Sequence, residues 1–352
     1  MCSKMLLTCS ILIFLIADMK VLFITSTRLG DGILSTGLLD HILREYPSAK
    51  VTVACGWLPV SIFEGFPNVE RIIEMKKKKC HGHWIDLWKA VVGTKWDMVV
   101  DLRDSAVSRL IFAKKRYIFS KHIDQTKHKA VQAAQVMKLT GVPAPKLYFT
   151  GTQKVVADNL IPEGSPVIAV GPSANWIGKT WPAERFIEVI AWLTSAEGLF
   201  PDARVAVFAA PGEEEQARPV LESVPAARRI DGIAKGTPGE VAASIARCNF
   251  YIGNDSGLMH AAAAAGVPTL GLFGPSYPHL YAPYGDHCAI AQTPETFDQL
   301  IDFEGYSAKT LDKTLMDTLQ TSQVIDIIKN NFKGVKSATD IHVKEATQAP
   351  SG

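Results

Sequence analysis

The sequence has no uninterrupted apolar run of the roughly 20 residues that a membrane-spanning helix requires. Its most apolar stretch, residues 1–18, is shorter than that and ends in Asp18. Two interpretations stay open for it: a signal peptide, for which no small-residue cleavage site follows, or an extension ahead of a true start at Met19. We favour the extension, because the segment MKVLFITS has the composition of a complete first strand.

The 6 cysteines are scattered, without a C-x-x-C pair or the dense spacing of a disulfide framework. This disfavours a disulfide-stapled secreted domain and predicts reduced thiols in a cytoplasmic protein. The segment CHGHW, residues 80–84, contains candidate metal ligands, but no matching second half follows it. We interpret it as a solvated loop and expect no metal site.

A dinucleotide fingerprint is also absent. After the first strand the chain has Gly30, Asp31 and Gly32 where G-x-G-x-x-G is required, which disfavours a nicotinamide-binding fold. Two interpretations stay open for Asp31. It is either a helix N-cap or a general base in a cleft, with flanking glycines that let a ligand approach closely.

What the sequence does contain is a repeated order of strand, loop and helix. Apolar segments such as KVLFITST, KVTVACG and WDMVVDL alternate with amphipathic helical segments, of which GILSTGLLDHILREY is the first. This order predicts an α/β fold with parallel, doubly wound sheets and a ligand cleft at the carboxyl ends of the strands. We expect an extension at 1–18, a Rossmann-like acceptor-binding domain at 19–160, a Rossmann-like donor-binding domain at 161–333 and a disordered tail at 334–352.

The charge is divided unequally between the two halves. Residues 1–160 carry 23 Lys and Arg against 13 Asp and Glu, whereas the rest of the chain carries 14 against 22. Basic clusters at residues 76–79, 114–116 and 121–129 are either solvated surface or contacts for an anionic partner, such as a phosphorylated acceptor or an acidic membrane. Nucleic acid is disfavoured, because aromatic residues are not interleaved with these clusters.

In the second half, polar side chains follow the strand PVIAVGPS. Ser173 lies at the end of this strand, and Lys179 lies just before a helix that Pro182 is expected to begin. A lysine at this position can reach an anion held in the cleft, although most loop lysines are only solvated.

The segment GNDSGLMHAAAAAG, residues 253–266, predicts a strand end, a turn and an alanine-rich helix. Its small residues let the helix lie close to the sheet, so that the first free N–H groups face the cleft at the positive end of the helix dipole. This arrangement predicts a diphosphate-binding site. Asp255 is expected to cap the helix, and His260 is either a contact to phosphate or sugar or a structural residue.

Four segments within residues 19–286 occur in an order and at a spacing that resemble a known family. They are RLGDGILSTGLLDHILREYP, GKTWPAERF, PGEEEQAR and NDSGLMHAAAAAGVPTLGLFGPSYP, of which the last is the most specific. In these segments the chain resembles the heptosyltransferases of glycosyltransferase family 9, which transfer ADP-activated heptose to the lipopolysaccharide inner core. The resemblance implies a glycosyltransferase B fold, with two Rossmann-like domains facing a central cleft. It also implies an inverting, metal-independent enzyme, in agreement with the absence of a D-x-D motif.

The resemblance further implies individual site residues. The catalytic base falls on Asp31, and the serine at position 256 replaces the threonine of many members while keeping the hydroxyl. The donor is expected to bind to residues of the second domain: Ser173, Lys179 for the phosphate, Glu213 for the ribose, the phosphate loop Asp255, Ser256 and Gly257, and His260 beside it. Glu214 or Glu215 could equally bind the ribose.

Three classes of function stay open. The first is an inverting glycosyltransferase in which Asp31 deprotonates an acceptor hydroxyl while Lys179 and the helix N–H groups stabilise the leaving diphosphate. The second is an enzyme of the same fold with other chemistry, such as a nucleotide-sugar epimerase, which needs further acid and base groups that the four segments do not supply. The third is a non-catalytic nucleotide-sugar or lipid-binding relative, which the joint presence of Asp31 and Lys179 disfavours.

For the first class we expect an ADP-sugar as donor substrate, no cofactor and no metal. The acceptor is expected to be an anionic lipid-linked saccharide, with peripheral contact to the inner face of the cytoplasmic membrane. The alternative within the same family is a different nucleotide-sugar donor or a different acceptor. We expect a cytoplasmic monomer and no nucleic acid partner.

Overall fold

The computed structural model of the chain describes residues 19–307 and 310–334. The predicted extension at 1–18, and all but the first residue of the predicted tail at 334–352, lie outside the described residues. The described chain forms two halves, each built on a parallel sheet.

Residues 19–136 form the first half. They contain five parallel strands: β1 (Lys20–Ile24), β2 (Lys50–Cys55), β3 (Val69–Glu74), β4 (Trp96–Asp101) and β5 (Ala113–Ile118). They also contain six helices: α1 (Leu29–Leu34), α2 (Thr36–Glu45), α3 (Val60–Phe63), α4 (Gly82–Val91), α5 (Val107–Leu110) and α6 (Lys129–Val136). The strands pair in the order β3-β2-β1-β4-β5.

Residues 151–331, described except for 308–309, form the second half. Their strands are β6 (Val167–Gly171), β7 (Arg204–Ala209), β8 (Arg229–Ile233), β9 (Phe250–Asn254), β10 (Thr269–Phe273) and β11 (Cys288–Gln292). Their helices are α7 (Gly151–Leu160), α8 (Ala183–Leu193), α9 (Glu214–Ser223), α10 (Pro238–Ile245), α11 (Gly257–Ala264), α12 (Pro278–Tyr281), α13 (Phe297–Ile301) and α14 (Thr321–Asn331). The strands pair in the order β8-β7-β6-β9-β10-β11.

The central strands are apolar because helices cover both faces of each sheet. In β1, Val21 and Phe23 pack into one core with α2, whereas Leu22 and Ile24 pack into another with α4. Burial on both faces explains why β1 is a continuous apolar run rather than an alternating one. The prediction of parallel, doubly wound α/β sheets is confirmed, whereas the domain boundary at residue 160 stays a prediction.

In each half the first strand lies inside the sheet. The next two strands, β2 and β3 or β7 and β8, are added on one side of it, and the remaining strands are added on the other side. The order changes direction between β1 and β4 in the first half and between β6 and β9 in the second. Ligands of such sheets bind in the crevice outside the carboxyl ends of the strands at these switch points. The loops after these four strands are therefore the expected positions of a ligand-binding site.

The region after β1 differs from its prediction. The sequence predicts one helix from Gly32 to Tyr46, but the structure has two, α1 and α2, which meet at Ser35. The Ser35 hydroxyl donates to the Gly32 carbonyl at 2.7 Å, and the Thr36 hydroxyl donates to the Ile33 carbonyl at 2.6 Å. Because such bonds compete with the main-chain ladder, they account for the interruption.

The start of α8 also differs from its prediction, by one residue. Pro182 occupies the N-cap position with ψ 135°, so that Ala183 is the first helical residue. Lys179 ends a single 3₁₀ turn, Ile177–Lys179, rather than lying in a plain loop. Both differences leave Lys179 at the crevice.

Two helices from different halves touch at the crevice. A Cβ atom on Gly30 of α1 would lie 2.9 Å from the ring of His260 on α11. A Cβ atom on Gly257 of α11 would lie 2.7 Å from the side chain of Leu29 on α1. The missing side chains at these two glycines therefore let α1 and α11 approach closely.

Two hydrogen bonds add further contacts between the halves. The N–H of Gly239, in α10, donates to the hydroxyl of Ser61, in α3, at 2.9 Å. Nε2 of His128 lies 2.9 Å from the carbonyl oxygen of Ala282. The two halves are thus held together by contacts at several places.

Candidate active site

Asp31 lies where β1 leads into the crevice. It is the third residue of α1, it is half-buried, and the Ser26 hydroxyl donates a hydrogen bond to its Oδ2 atom at 3.4 Å. The N-cap position is Arg28, and no side chain caps the helix there. The interpretation of Asp31 as a helix N-cap is therefore wrong, and its carboxylate lines a cavity instead.

The cavity beside Asp31 has a volume of about 180 Å³. Its wall comes mainly from the first half, and Tyr281 contributes to it from the second half. The cationic side chains of Arg103 and Lys129 also line it, and an adjoining open groove extends to Lys121. One carboxylate surrounded by positive charge suits a ligand that offers a hydroxyl and carries negative charge elsewhere.

Asp101 shapes the loop that carries Arg103. Its buried carboxylate, at the end of β4, accepts hydrogen bonds from the N–H of Arg103 at 2.7 Å and of Ser105 at 2.8 Å. The Ser105 hydroxyl donates a third bond at 2.6 Å, so that the buried charge is well satisfied. Asp101, Arg103 and Tyr281 were not predicted as site residues. An acid directly after the buried strand WDMVV is a signal for the first two, whereas no sequence signal marks Tyr281.

Lys179 and Asp255 form an ion pair at the crevice of the second half. Lys179 Nζ lies 2.6 Å from Asp255 Oδ2, with the Asp255 side chain almost buried. The two residues follow β6 and β9, the strands on either side of the switch point. The prediction that Asp255 caps α11 is wrong, because Ser256 is the N-cap residue and Asp255 binds Lys179 instead.

Two amide side chains hold the loop that carries Lys179. The buried Asn254 accepts a hydrogen bond from the N–H of Trp181 at 3.1 Å and donates to the Pro172 carbonyl at 2.9 Å. Gln216, on α9, accepts further bonds from the same loop. The loop is thus fixed at both of its ends, which restricts where the Lys179 ammonium can reach.

Ser173 and Glu213 are also brought together. The Ser173 hydroxyl donates to Glu213 Oε2 at 2.7 Å, across the carboxyl ends of β6 and β7. Glu214 instead accepts a hydrogen bond from the N–H of Gly212, which lowers the pKa of its carboxyl, and Glu215 is exposed. Among the three glutamates, Glu213 is the one bonded to the loop after β6. A ribose-binding role for it stays a prediction.

The N-terminus of α11 begins at the crevice and has two buried hydroxyl groups beside it. The Ser256 and Tyr251 hydroxyls interact with each other, and neither has a further hydrogen-bond partner among the described residues. Burial raises the pKa of Tyr251. A Cβ atom on Gly171 or Gly253 would lie 2.1 Å or 2.5 Å from the Tyr251 hydroxyl, so both glycines leave room for this ring. A helix N-terminus whose donors lack acceptors is a suitable place for an anion.

His260 lies in the first turn of α11 and is buried between the halves. Burial lowers its pKa to about 4, against the opposing effect of the Asp255 and Asp31 carboxylates, so that the ring is neutral at pH 7. Its Nδ1 atom has no hydrogen-bond partner in the part of the chain that the structure describes. His260 is therefore both a packing residue, against Gly30, and a neutral polar group at the crevice.

The predicted site residues thus form two groups. Asp31 lies in the first half, and the seven predicted donor-binding residues lie around the switch point of the second.

The basic clusters are only partly at the site. Arg116 donates to main-chain carbonyls around α5, and Lys114 pairs with Asp97 at 2.6 Å, whereas Lys121 and Lys129 reach the cavity and its groove.

The described part of the chain contains neither a cluster of metal ligands nor a membrane-spanning helix. In residues 19–307 and 310–334, no group of three or more His, Cys, Asp or Glu side chains is placed to hold a metal ion. No helix within those same ranges is long and apolar enough to cross a membrane.

Two facing sheets with Rossmann-type strand order, and with switch points at one crevice, define the glycosyltransferase B fold. A solved glycosyltransferase family 9 structure from Veillonella parvula has a TM-score of 0.72 at 23% identity, covering 89% of this chain and 97% of that chain. The Escherichia coli heptosyltransferase WaaC with ADP has a TM-score of 0.66 at 19% identity, covering 89% and 100%. These similarities confirm the predicted fold.

The model of glycosyltransferase family 9 (heptosyltransferase) matches residues 84–299, more than half of the chain. The chain belongs to this family and is a glycosyltransferase. Lipooligosaccharide heptosyltransferase 2 of Haemophilus influenzae is 25% identical to it over 317 residues, which is 79% of this chain and 89% of that protein. Lipopolysaccharide heptosyltransferase 1 of Escherichia coli is 23% identical over 315 residues, with coverage of 78% and 94%. The family resemblance seen in the sequence is therefore confirmed.

Proposed function

We propose that this chain transfers a heptosyl group from ADP-heptose to an anionic, lipid-linked saccharide of the lipopolysaccharide inner core. The observation that carries the proposal is the contact between α1 and α11, where Gly30 packs on His260 and Asp31 is the next residue. A candidate base from one half and an anion site from the other thereby share one crevice. The relatives support the choice of sugar, since they are named as lipopolysaccharide and lipooligosaccharide heptosyltransferases.

The donor binds to the second half. Its diphosphate takes the N–H groups of Ser256 and Gly257 at the positive end of α11, and Lys179 adds a mobile cation from the opposite loop. The hydrogen-bonded pair of Ser173 and Glu213 offers oxygen atoms to the ribose hydroxyls. The neutral ring of His260 is a hydrogen-bonding contact for phosphate or sugar.

The reaction is a single displacement that inverts the anomeric carbon. Asp31 takes the proton of the acceptor hydroxyl as its oxygen forms a bond to this carbon from the face opposite the diphosphate. The bond from the anomeric carbon to the diphosphate oxygen breaks, and ADP leaves with the electron pair. Lys179 and the α11 N–H groups stabilise the charge that develops on ADP, a task that needs no metal ion in this arrangement.

The acceptor enters from the first half. The cavity of about 180 Å³ at Asp31 receives the attacking sugar, and Arg103 and Lys129 bind its negative groups. A lipid-linked acceptor requires the enzyme to work at a membrane surface. The protein then acts as a cytoplasmic monomer in peripheral contact with the inner membrane.

The substitution Asp31→Asn tests the proposal. We expect kcat to fall by about a hundredfold to ten-thousandfold, as for other lost general bases, with the Kd for ADP nearly unchanged. The measurement is ADP release from ADP-heptose with a deacylated inner-core saccharide as acceptor, together with ADP calorimetry. Asp202→Asn, at an exposed acid of the second half, is the matched control and should retain wild-type turnover. Normal turnover of Asp31→Asn would disprove the base assignment, and an inactive wild type that binds ADP would indicate another donor, another acceptor or a non-catalytic relative.

A further inference from the structure

Helix α4 presents apolar side chains to solvent along one face. Ile85, Trp88 and Val92 are all exposed, and their spacing of three, four and seven residues places them on the same side of the helix. A neighbouring side of the helix faces inwards, since Leu87 and Val91 are buried in the core of the first half. An exposed apolar face of this kind marks a surface that binds another protein or a membrane.

The apolar surface continues beyond α4. Leu110 and Phe112, at the end of α5 and just before β5, are 67% and 55% exposed. The N–H of Trp96, at the start of β4, donates to the Phe112 carbonyl at 3.2 Å. This bond holds Phe112 beside the chain that connects α4 to β4. We refer to the five exposed residues as the α4–α5 patch: Ile85, Trp88, Val92, Leu110 and Phe112.

The charge around the α4–α5 patch is positive. The acidic residues beside it are each paired with a basic one: Asp86 with Lys78 at 2.6 Å, Asp97 with Lys114 at 2.6 Å, and Asp104 with Arg109 at 2.5 Å. Lys89 and Lys95 are exposed in addition, next to Trp88 and Trp96. In the basic cluster at residues 76–79, ahead of α4, Lys76 pairs with Glu74 and Lys78 with Asp86, so that Lys77 and Lys79 add to the positive charge.

The described chain also begins at this place. The N–H of Lys20, at the start of β1, donates to Asp97 Oδ2 at 2.8 Å, and Lys114 binds the other oxygen of the same carboxylate. This carboxylate therefore joins the start of the described chain to the segment that follows Phe112.

We propose that the α4–α5 patch is the surface by which the protein docks on a membrane that contains anionic lipids. Apolar side chains enter the boundary between headgroups and acyl chains, with Trp88 at the depth that tryptophan prefers, while the lysines contact lipid phosphates. A soluble protein partner would satisfy the apolar residues, but it would not require the excess of positive charge beside them. The inference deepens the proposed function, because it gives the enzyme a route to a lipid-linked acceptor.

The test is sedimentation of the full chain with vesicles that contain no acceptor. Binding to phosphatidylcholine vesicles, with and without phosphatidylglycerol, is compared for the wild type and two double variants. One double variant carries Ile85→Glu and Leu110→Glu, and the other carries Lys89→Glu and Lys95→Glu. The matched control is Val155→Glu, because Val155 is 58% exposed, as Ile85 is at 56%, but lies on α7 in the second half. ADP binding by each variant verifies that it is folded and tests the donor site separately from docking.

We expect wild type and Val155→Glu to bind the vesicles only when phosphatidylglycerol is present. Both double variants should bind at least about tenfold more weakly, since each basic residue at a membrane surface contributes about fivefold and a buried acid opposes binding. Binding that both double variants retain would overturn the proposal and assign docking to residues 1–18 or to another surface. Absent binding by the wild type, or equal binding to both kinds of vesicle, would overturn it as well. None of these outcomes alters the ADP result, so the donor proposal stands or fails separately.

Discussion

At the scale of single residues, the donor site depends on one cation held in place by one carboxylate. Lys179 Nζ lies 2.6 Å from Asp255 Oδ2, and the almost buried Asp255 would be costly to leave unpaired. The pair keeps the ammonium beside the N-terminus of α11 before any ligand arrives. A diphosphate at α11 then becomes a second anionic partner for a cation that is already in position.

The substitution Lys179→Gln should therefore weaken ADP binding. We expect Kd to rise by about tenfold to a hundredfold, since a hydrogen bond to a charged group contributes about 1.5–3 kcal/mol. Calorimetry with ADP and with adenosine checks this, because adenosine lacks the diphosphate and should lose much less affinity. Lys235→Gln is the control, since Lys235 forms an exposed pair with Asp231 at 3.0 Å in the same half. An unchanged Kd for ADP in Lys179→Gln would show that this residue does not bind the diphosphate.

At the scale of helices, the site is assembled by the contact between α1 and α11. Asp31 lies on α1, and the candidate phosphate site lies at the start of α11, so that the spacing of the two helices sets the distance from base to donor. Gly30 and Gly257 set that spacing, because a Cβ atom on either would collide with the opposite helix. Of these two helices, donor binding needs only α11, whereas transfer needs both.

The substitution Gly30→Val should separate these two steps. The added side chain pushes against the buried ring of His260 and displaces α1, and misplacement of a reacting group by about 1 Å can cost about a hundredfold in rate. We expect kcat to fall by roughly tenfold to a hundredfold while the Kd for ADP changes by less than about twofold. Gly151→Val is the control, because nothing lies within 4 Å of a Cβ atom there. A parallel loss of ADP affinity would mean that α1 supports the donor site through the His260 ring on which it packs.

Elements that depend on local pattern were predictable from the sequence, and pairings between distant residues were not. The apolar run of β1 and the alanine-rich α11 follow from composition and periodicity alone. The break at Ser35 depends on the hydrogen bond from its hydroxyl to the Gly32 carbonyl, which the sequence does not specify. Lys179, the partner of Asp255, lies 76 residues away from it in the sequence. Tyr281 reaches the cavity only because the two halves meet, so no local signal could have assigned it to the site.

At the scale of the whole molecule, the two halves differ in charge as well as in task. The first half has an excess of basic residues, which suits an anionic acceptor, whereas the second has an excess of acidic ones although its proposed ligand is a diphosphate. Attraction of the donor must therefore be local, from Lys179 and the α11 N–H groups, and it must act against the net charge of its own domain. Such a site selects its ligand by the positions of individual donor groups rather than by the net charge of the domain.

From this it follows that ADP should stabilise the whole chain without a divalent ion. At a concentration of about 100 times its Kd, ADP should add about 2.7 kcal/mol to the free energy of unfolding in the presence of EDTA. Thermal unfolding with ADP, UDP and GDP at equal concentration measures this, and ADP should give the largest shift because the proposed donor is ADP-heptose. Stabilisation that appeared only after addition of Mg²⁺ would contradict the metal-independent mechanism. An equal shift with UDP would keep the diphosphate site at α11 but would remove the argument for an ADP-linked donor.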